Sequence, residues 1–195
     1  MNAVMHKNEA MRREQALNAA RQVFLRYGYK RTTMGDLAAA AHMSRPALYL
    51  LFPSKEEVFG AVMEQLFAEL LNLIREGIAT RATAYEQLVF AFEVWAIEPF
   101  KAVQAAPDAK DVLESSYTFA PAITANAMAD FERLLGSILA PLAREAPLVM
   151  SPDRVARILA AAVPGFKQSA SSVNELQRLI EDLVTLVLAC VHATP

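Results

Sequence analysis

Fourteen residues, SRPALYLLFPSKEE at positions 44–57, contain two helix starts and one enforced stop. Pro46 has no N–H to give and a fixed φ, so it suits the first turn of a helix that opens at Ser44. Pro53 biases Phe52 away from the α region and ends that helix after two turns. Ser54, with Glu57 three residues on, then forms a capping-box start for the next. A chain with this run must be built here from short, sharply bounded helices.

The neighbouring residues extend the pattern. From Glu14 to Tyr27 the apolar residues Ala16, Leu17, Ala20, Val23, Phe24 and Tyr27 recur at spacings of three and four, which marks one helical face. Gly28 closes that helix. Thr33 is an N-cap for a short second helix, Asp36 completes its capping box, and Leu37, Ala38 and Ala41 face inward. In the helix after Ser44, Leu48 and Phe52 share one face, and Arg45 and Tyr49 share another.

Downstream, the spacing predicts helices over 54–78, 84–105, 120–145, 152–163 and 173–192, with a short piece begun by Pro107. With 54% hydrophobic residues and only 6 glycines in 195, and no alternating pattern or repeat, the expected fold class is all-α.

Several functions are disfavoured. Cys190 is the single cysteine and cannot form an internal disulfide, while His6, His42 and His192 lack ligand-spaced partners, so no metal or cofactor is expected. There is no phosphate loop and no Gly-x-Ser-x-Gly elbow, so an enzyme is not expected. The longest apolar runs, such as 183–191, fall well short of the roughly 20 residues that span a bilayer, which leaves no membrane partner and a cytoplasmic location as the expectation.

The net charge of −2 conceals an asymmetry: residues 1–60 sum to +4 and residues 61–195 to −6. The basic module is also the one with two short helices joined by a tight turn, the ingredients of a helix-turn-helix. The major groove, about 12 Å wide, admits one such helix.

The run TTMGDLAAAAHMSRPALYLLFPSKEEVF, residues 32–59, closely resembles the DNA-binding region of the TetR (tetracycline-repressor) family of bacterial regulators. The resemblance lies in the Thr that opens the second helix, the Asp-Leu-Ala core, the Ser-x-x-x-Leu-Tyr-x-x-Phe recognition helix and the Ser-Lys-Glu-Glu start that follows. It covers roughly residues 12–60. Beyond that, only the number and length of the helices match.

This resemblance implies an N-terminal three-helix helix-turn-helix domain, residues 1–53, and a helical ligand-binding and dimerisation domain, residues 54–195. It implies that Thr33 and Lys55 bind phosphates at helix N-termini and that Tyr49 touches the DNA backbone, although capping alone accounts for Thr33 and packing for Tyr49. Ser44, Arg45, Pro46 and Ala47 start the recognition helix; Arg45 suits guanine, and Pro46 and Ala47 suit thymine methyls. His42 stands where glycine is commonest, in a turn that requires positive φ, a conformation His accepts better than a branched residue. Leu51 stands where an aromatic or His is common, and leucine cannot hydrogen-bond a phosphate.

In the second domain, Phe92, Trp95, Phe100, Tyr117, Phe119, Met128 and Phe131 are candidates to line a pocket for a small apolar or amphipathic effector, with core packing as the alternative for each. Leu176, Leu179, Ile180, Leu183 and Val187 form an apolar stripe on the last helix. In the family this helix and the one before it pair with their mates, so a homodimer is expected. The resulting expectation is a ligand-responsive transcriptional repressor bound as a homodimer to a pseudo-palindromic double-stranded DNA operator. The alternatives are an activator of the same fold and, further off, a helical carrier or enzyme.

Overall fold

The computed structural model describes residues 2–106, 110–145 and 150–192. Among them every regular element is helical and no strand occurs, as the composition predicts. The Pro107 start lies outside the described residues, as do the side chains of His6, Cys190 and His192. The helices are α1 (Asn2–Tyr27), α2 (Met34–Ala40), α3 (Arg45–Leu51), α4 (Lys55–Ile78), α5 (Ala84–Phe92), α6 (Glu98–Ala105), α7 (Lys110–Phe119), α8 (Pro121–Leu139), α9 (Leu142–Glu145), α10 (Pro152–Ser169) and α11 (Val173–His192). No described helix is long and apolar enough to cross a membrane.

Four boundaries differ from the sequence expectation, each for a local reason. α1 begins about three turns before the apolar pattern does. Its residues 8–14 are all exposed, so this part of the helix has no buried face to leave a periodic trace. The helix expected over 84–105 contains a π turn, Glu93–Ile97, in which Glu98 N–H donates to Glu93 O. The extra residue falls just before Pro99, which has no N–H for the carbonyl four residues back and whose ring would crowd it. The 120–145 helix is split ahead of Pro141 into α8 and α9. α10 does not stop at Val163 but continues to Ser169 with Pro164 inside the helix, on its exposed side.

The chain forms two compact units. The first comprises Met1–Leu66 and Val103–Ala125, so α7 packs with the N-terminal helices. Its core joins Ala16, Ala20 and Phe24 of α1, Leu37 and Ala38 of α2, Leu48 of α3, then Phe52, Val58 and Phe59. Phe24 and Phe59 meet edge to face at 5.3 Å.

The second unit comprises Phe67–Ala102 and Asn126–Pro195. The π turn places Trp95 parallel to Phe131, with centroids 4.4 Å apart, and Phe92 meets Phe131 edge-on at 5.5 Å. Leu135, Leu139, Leu159, Leu176, Ile180 and Val184 surround this cluster. Gly77, in α4, is needed for close packing: a Cβ there would overlap the ring of Phe90. Arg81 lies over the same ring at 3.4 Å and donates to Gly77 O.

Lys167 follows Val163 by four residues and Ala160 by seven, so it continues the buried stripe of α10. Burial pulls its ammonium from 10.5 down to about 8. Between those two values the folded chain holds fewer protons than the unfolded chain, so stability rises with pH across that window.

Two measurements check this packing. Gly77→Ala, which helix propensity alone would favour, should destabilise by about 1–3 kcal/mol through overpacking against Phe90, read from urea midpoints. Lys167→Met should be more stable than the wild type below pH 8, and the difference should shrink steadily as pH rises from about 8 to 10.5.

Candidate nucleic-acid interface

The helix-turn-helix is assembled from short-range bonds. Thr33 Oγ1 accepts from Asp36 N–H at 3.3 Å, and Asp36 Oδ2 accepts from Thr33 N–H at 2.8 Å, the reciprocal capping box the sequence predicts. These bonds hold the Asp36 carboxyl below its ordinary pKa, with Arg45 contributing a smaller part. The turn after α2 closes through Met43 N–H to Ala38 O at 2.9 Å. His42 takes φ 55°, the left-handed conformation anticipated for this position. Ser44 Oγ then caps α3 by accepting from Ala47 N–H at 3.3 Å.

α3 is anchored from behind and open in front. Leu48 is buried, and Arg13 of α1 donates to Leu51 O at 3.4 Å while lying over the Phe52 ring at 4.3 Å. Ser44, Arg45, Pro46, Tyr49 and Leu50 are exposed, Leu50 by 87%, and Ala47 is half-buried. The Arg45 guanidinium leans on the first turn of α2, where a Cβ on Gly35 would sit 3.4 Å from it. The exposed face therefore offers one cation, a phenol, a hydroxyl and apolar carbon, and α3 has no carboxylate.

Lys55, for which the resemblance implies a phosphate, has partners within the chain. Its ammonium donates to Tyr29 O and Thr32 O, each at 3.0 Å, and lies 4.1 Å from the Tyr29 ring centroid. It therefore ties the loop between α1 and α2 to the start of α4, with two of its three N–H bonds committed. Tyr29 O–H donates to Glu56 at 3.0 Å, which helps hold that carboxylate below its ordinary pKa, while burial raises the phenol.

The same loop has a partner that no motif signals. Asp111 of α7 accepts from Tyr29 N–H at 3.0 Å and from Lys30 N–H at 2.8 Å, across 82 and 81 residues of sequence. Phe119, also of α7, stacks on Tyr29 with centroids 4.5 Å apart. Neither contact has a short-range signature, so sequence reasoning had no means of finding them.

The expected pocket residues divide between the two compact units. Phe92, Trp95 and Phe131 are buried together in the second unit, with Phe100 and Met128 partly buried against that core. Tyr117, 60% exposed, and Phe119 belong to the first unit. In the expected dimer stripe, Leu176 and Ile180 are buried within the chain's own core. Leu179, Leu183 and Val187 are half-buried, and Leu186 (63%) and Ile158 of α10 (48%) stand exposed.

Comparison with known proteins agrees with this geometry. Residues 16–62 match the family profile for bacterial regulatory proteins, tetR family. The transcriptional activator FasR of Mycolicibacterium smegmatis is 34% identical over 84 residues, which is 43% of this chain and 38% of that protein. The transcriptional repressor KstR2 of Rhodococcus jostii is 30% identical over 86 residues, 42% of each. The alignment thus spans about two fifths of these relatives. Among solved structures, Thermus thermophilus FadR, a TetR-family repressor in complex with lauroyl-CoA, superposes with a TM-score of 0.66 at 24% identity over 94% of this chain and 96% of that one. A transcriptional regulator from Cytophaga hutchinsonii superposes at 0.74 with 19% identity, over 90% and 96%. At these identities the structural likeness shows the fold.

Lys55→Met should strand the carbonyls of Tyr29 and Thr32 and destabilise the protein by roughly 1–3 kcal/mol, seen as a lower melting midpoint. An unchanged midpoint would return Lys55 to the role of a solvated, DNA-facing cation.

Proposed function

We propose that the chain, whose residues 16–62 match the tetR family profile, is a TetR-family ligand-responsive transcriptional repressor that binds a pseudo-palindromic operator as a homodimer. The observation that carries this reading is the outward face of α3, where Arg45, Pro46, Tyr49 and Leu50 stand exposed on a helix held from behind by Leu48 and Arg13. Arg45 reads guanine, Pro46 and Ala47 contact thymine methyls, and Thr33, Ser44 and Tyr49 position the backbone. Residues 1–53 act as the reading head and residues 54–195 as the effector and dimerisation domain.

Dimerisation uses the part of α11 left outside the core, Leu179, Leu183, Leu186 and Val187, together with Ile158 of α10. Two-fold pairing places the reading heads about 34–36 Å apart, one turn of duplex. The effector is a small apolar or amphipathic molecule bound beside the aromatic cluster of Phe92, Trp95 and Phe131. Its coupling to DNA binding is worth about 1–3 kcal/mol, the usual range for allostery. The protein acts in the cytoplasm, without a cofactor and without catalysis. An activator is the second reading, because FasR is named as an activator and aligns over the same region as the repressor KstR2.

Recovery of sheared source-genome DNA on immobilised protein tests the proposal. The wild type should enrich a pseudo-palindrome at moderate salt, and an Arg45→Ala, Tyr49→Ala double variant should recover only what salt removes uniformly. Equal recovery of all sequences by both proteins, before and after refolding to strip bound ligand, would sink it. A reporter gene placed behind the enriched sequence then separates repression from activation.

A further inference from the structure

A helix seated in the major groove has a phosphate strand on each side, and neutralising both strands needs cations on both flanks of the helix. On the α2 flank of α3, Arg45, the one cation of this helix, leans on Gly35 and is taken up by guanine in the reading above. The second cation expected from the sequence, Lys55, has two of its N–H bonds and its contact with the Tyr29 ring engaged inside the head. The opposite flank is an open cleft of about 860 Å³ between α1 and α3.

On one wall of that cleft are Ala47 and Leu50 of the recognition helix, with the hydroxyl of Ser44 at its start; on the other are Asn8, Arg12 and Gln15 of α1. These three lie on one face of α1, at spacings of four and three, and the Gln15 amide donates to Ala41 O at 3.0 Å, which fixes this stretch of α1 against the turn. Arg12 is exposed and forms no hydrogen bond or ion pair among the described residues, and Glu9, which shares the cleft, is not paired with it.

Resting on the operator-binding reading above, we propose that Arg12 holds a phosphate of the operator strand that runs along the α1 flank of the recognition helix. The part of α1 that precedes the apolar periodicity is then one wall of the DNA site. A phosphate contact from Arg12 adds affinity and register but no sequence preference.

The test is the salt dependence of binding to the enriched operator and to an unrelated duplex, measured by fluorescence anisotropy for the full-length wild type, Arg12→Gln and Arg12→Lys. Loss of one phosphate contact per head should make the slope of log K against log salt shallower by about 1.8 per dimer for Arg12→Gln, and weaken binding roughly 10- to 60-fold at 0.1 M salt. The ratio of operator to unrelated-duplex affinity should stay constant, the melting midpoint should not move, and Arg12→Lys should keep the slope. An unchanged slope for Arg12→Gln beside a wild type that binds its operator overturns the Arg12 assignment alone. So does a changed affinity ratio, which would make Arg12 a base reader. A wild type that prefers no sequence overturns the operator-binding reading and this inference together.

Discussion

The helices of the first unit are fastened together at Tyr29. It is 2% exposed, and its polar groups and ring are taken up by three helices. The N–H goes to Asp111 of α7, the O–H to Glu56 of α4, the carbonyl and one ring face to Lys55, and the ring packs against Phe24, Phe59 and Phe119. A loop residue is ordinarily where a fold is loosest. Here the loop between α1 and α2 is the point at which α1, α4 and α7 are fastened together, and it delivers the chain to the Thr33 cap at a fixed angle.

That fastening explains why cations of similar sequence appearance do different work. Arg13, Arg45 and Lys55 all belong to the basic module. Arg13 is spent on the Leu51 carbonyl and the Phe52 ring, and Lys55 on two carbonyls of the loop, so both hold α3 and α4 in place. Arg45 alone of the three projects from an exposed position on the recognition helix. The planar guanidinium of Arg13 suits stacking as well as donation, and the compact ammonium of Lys55 suits a cradle of carbonyl oxygens.

The second unit is organised around a different constraint, the stacked pair Trp95 and Phe131. Trp95 reaches Phe131 from within the π turn, so a local departure from α geometry sets the central contact of the core. Gly77 admits Phe90 on one side of α4, and Lys167 is drawn into the buried stripe of α10 with its ammonium partly desolvated. Of the exposed large hydrophobic residues of this unit, Leu73, Tyr85, Ile158 and Leu186, the last two lie on the helices to which a mate is assigned.

The all-α class, the caps at Thr33, Ser44 and Ser54, the positive φ at His42 and the exposed face of α3 were legible in the sequence. All of these depend on residues within about four positions of one another, where helix geometry converts spacing directly into contact. The family likeness rests on the same short-range signals. The structure decided the rest: that Lys55 turns inward, that Asp111 and Phe119 hold the loop at Tyr29, that Leu176 and Ile180 are consumed by the chain's own core, and that Tyr117 and Phe119 belong to a different compact unit from Phe92 and Phe131. Such contacts join residues many tens of positions apart. A side chain's charge or apolarity states only what kind of partner it requires, and the packing of distant helices determines which partner it meets.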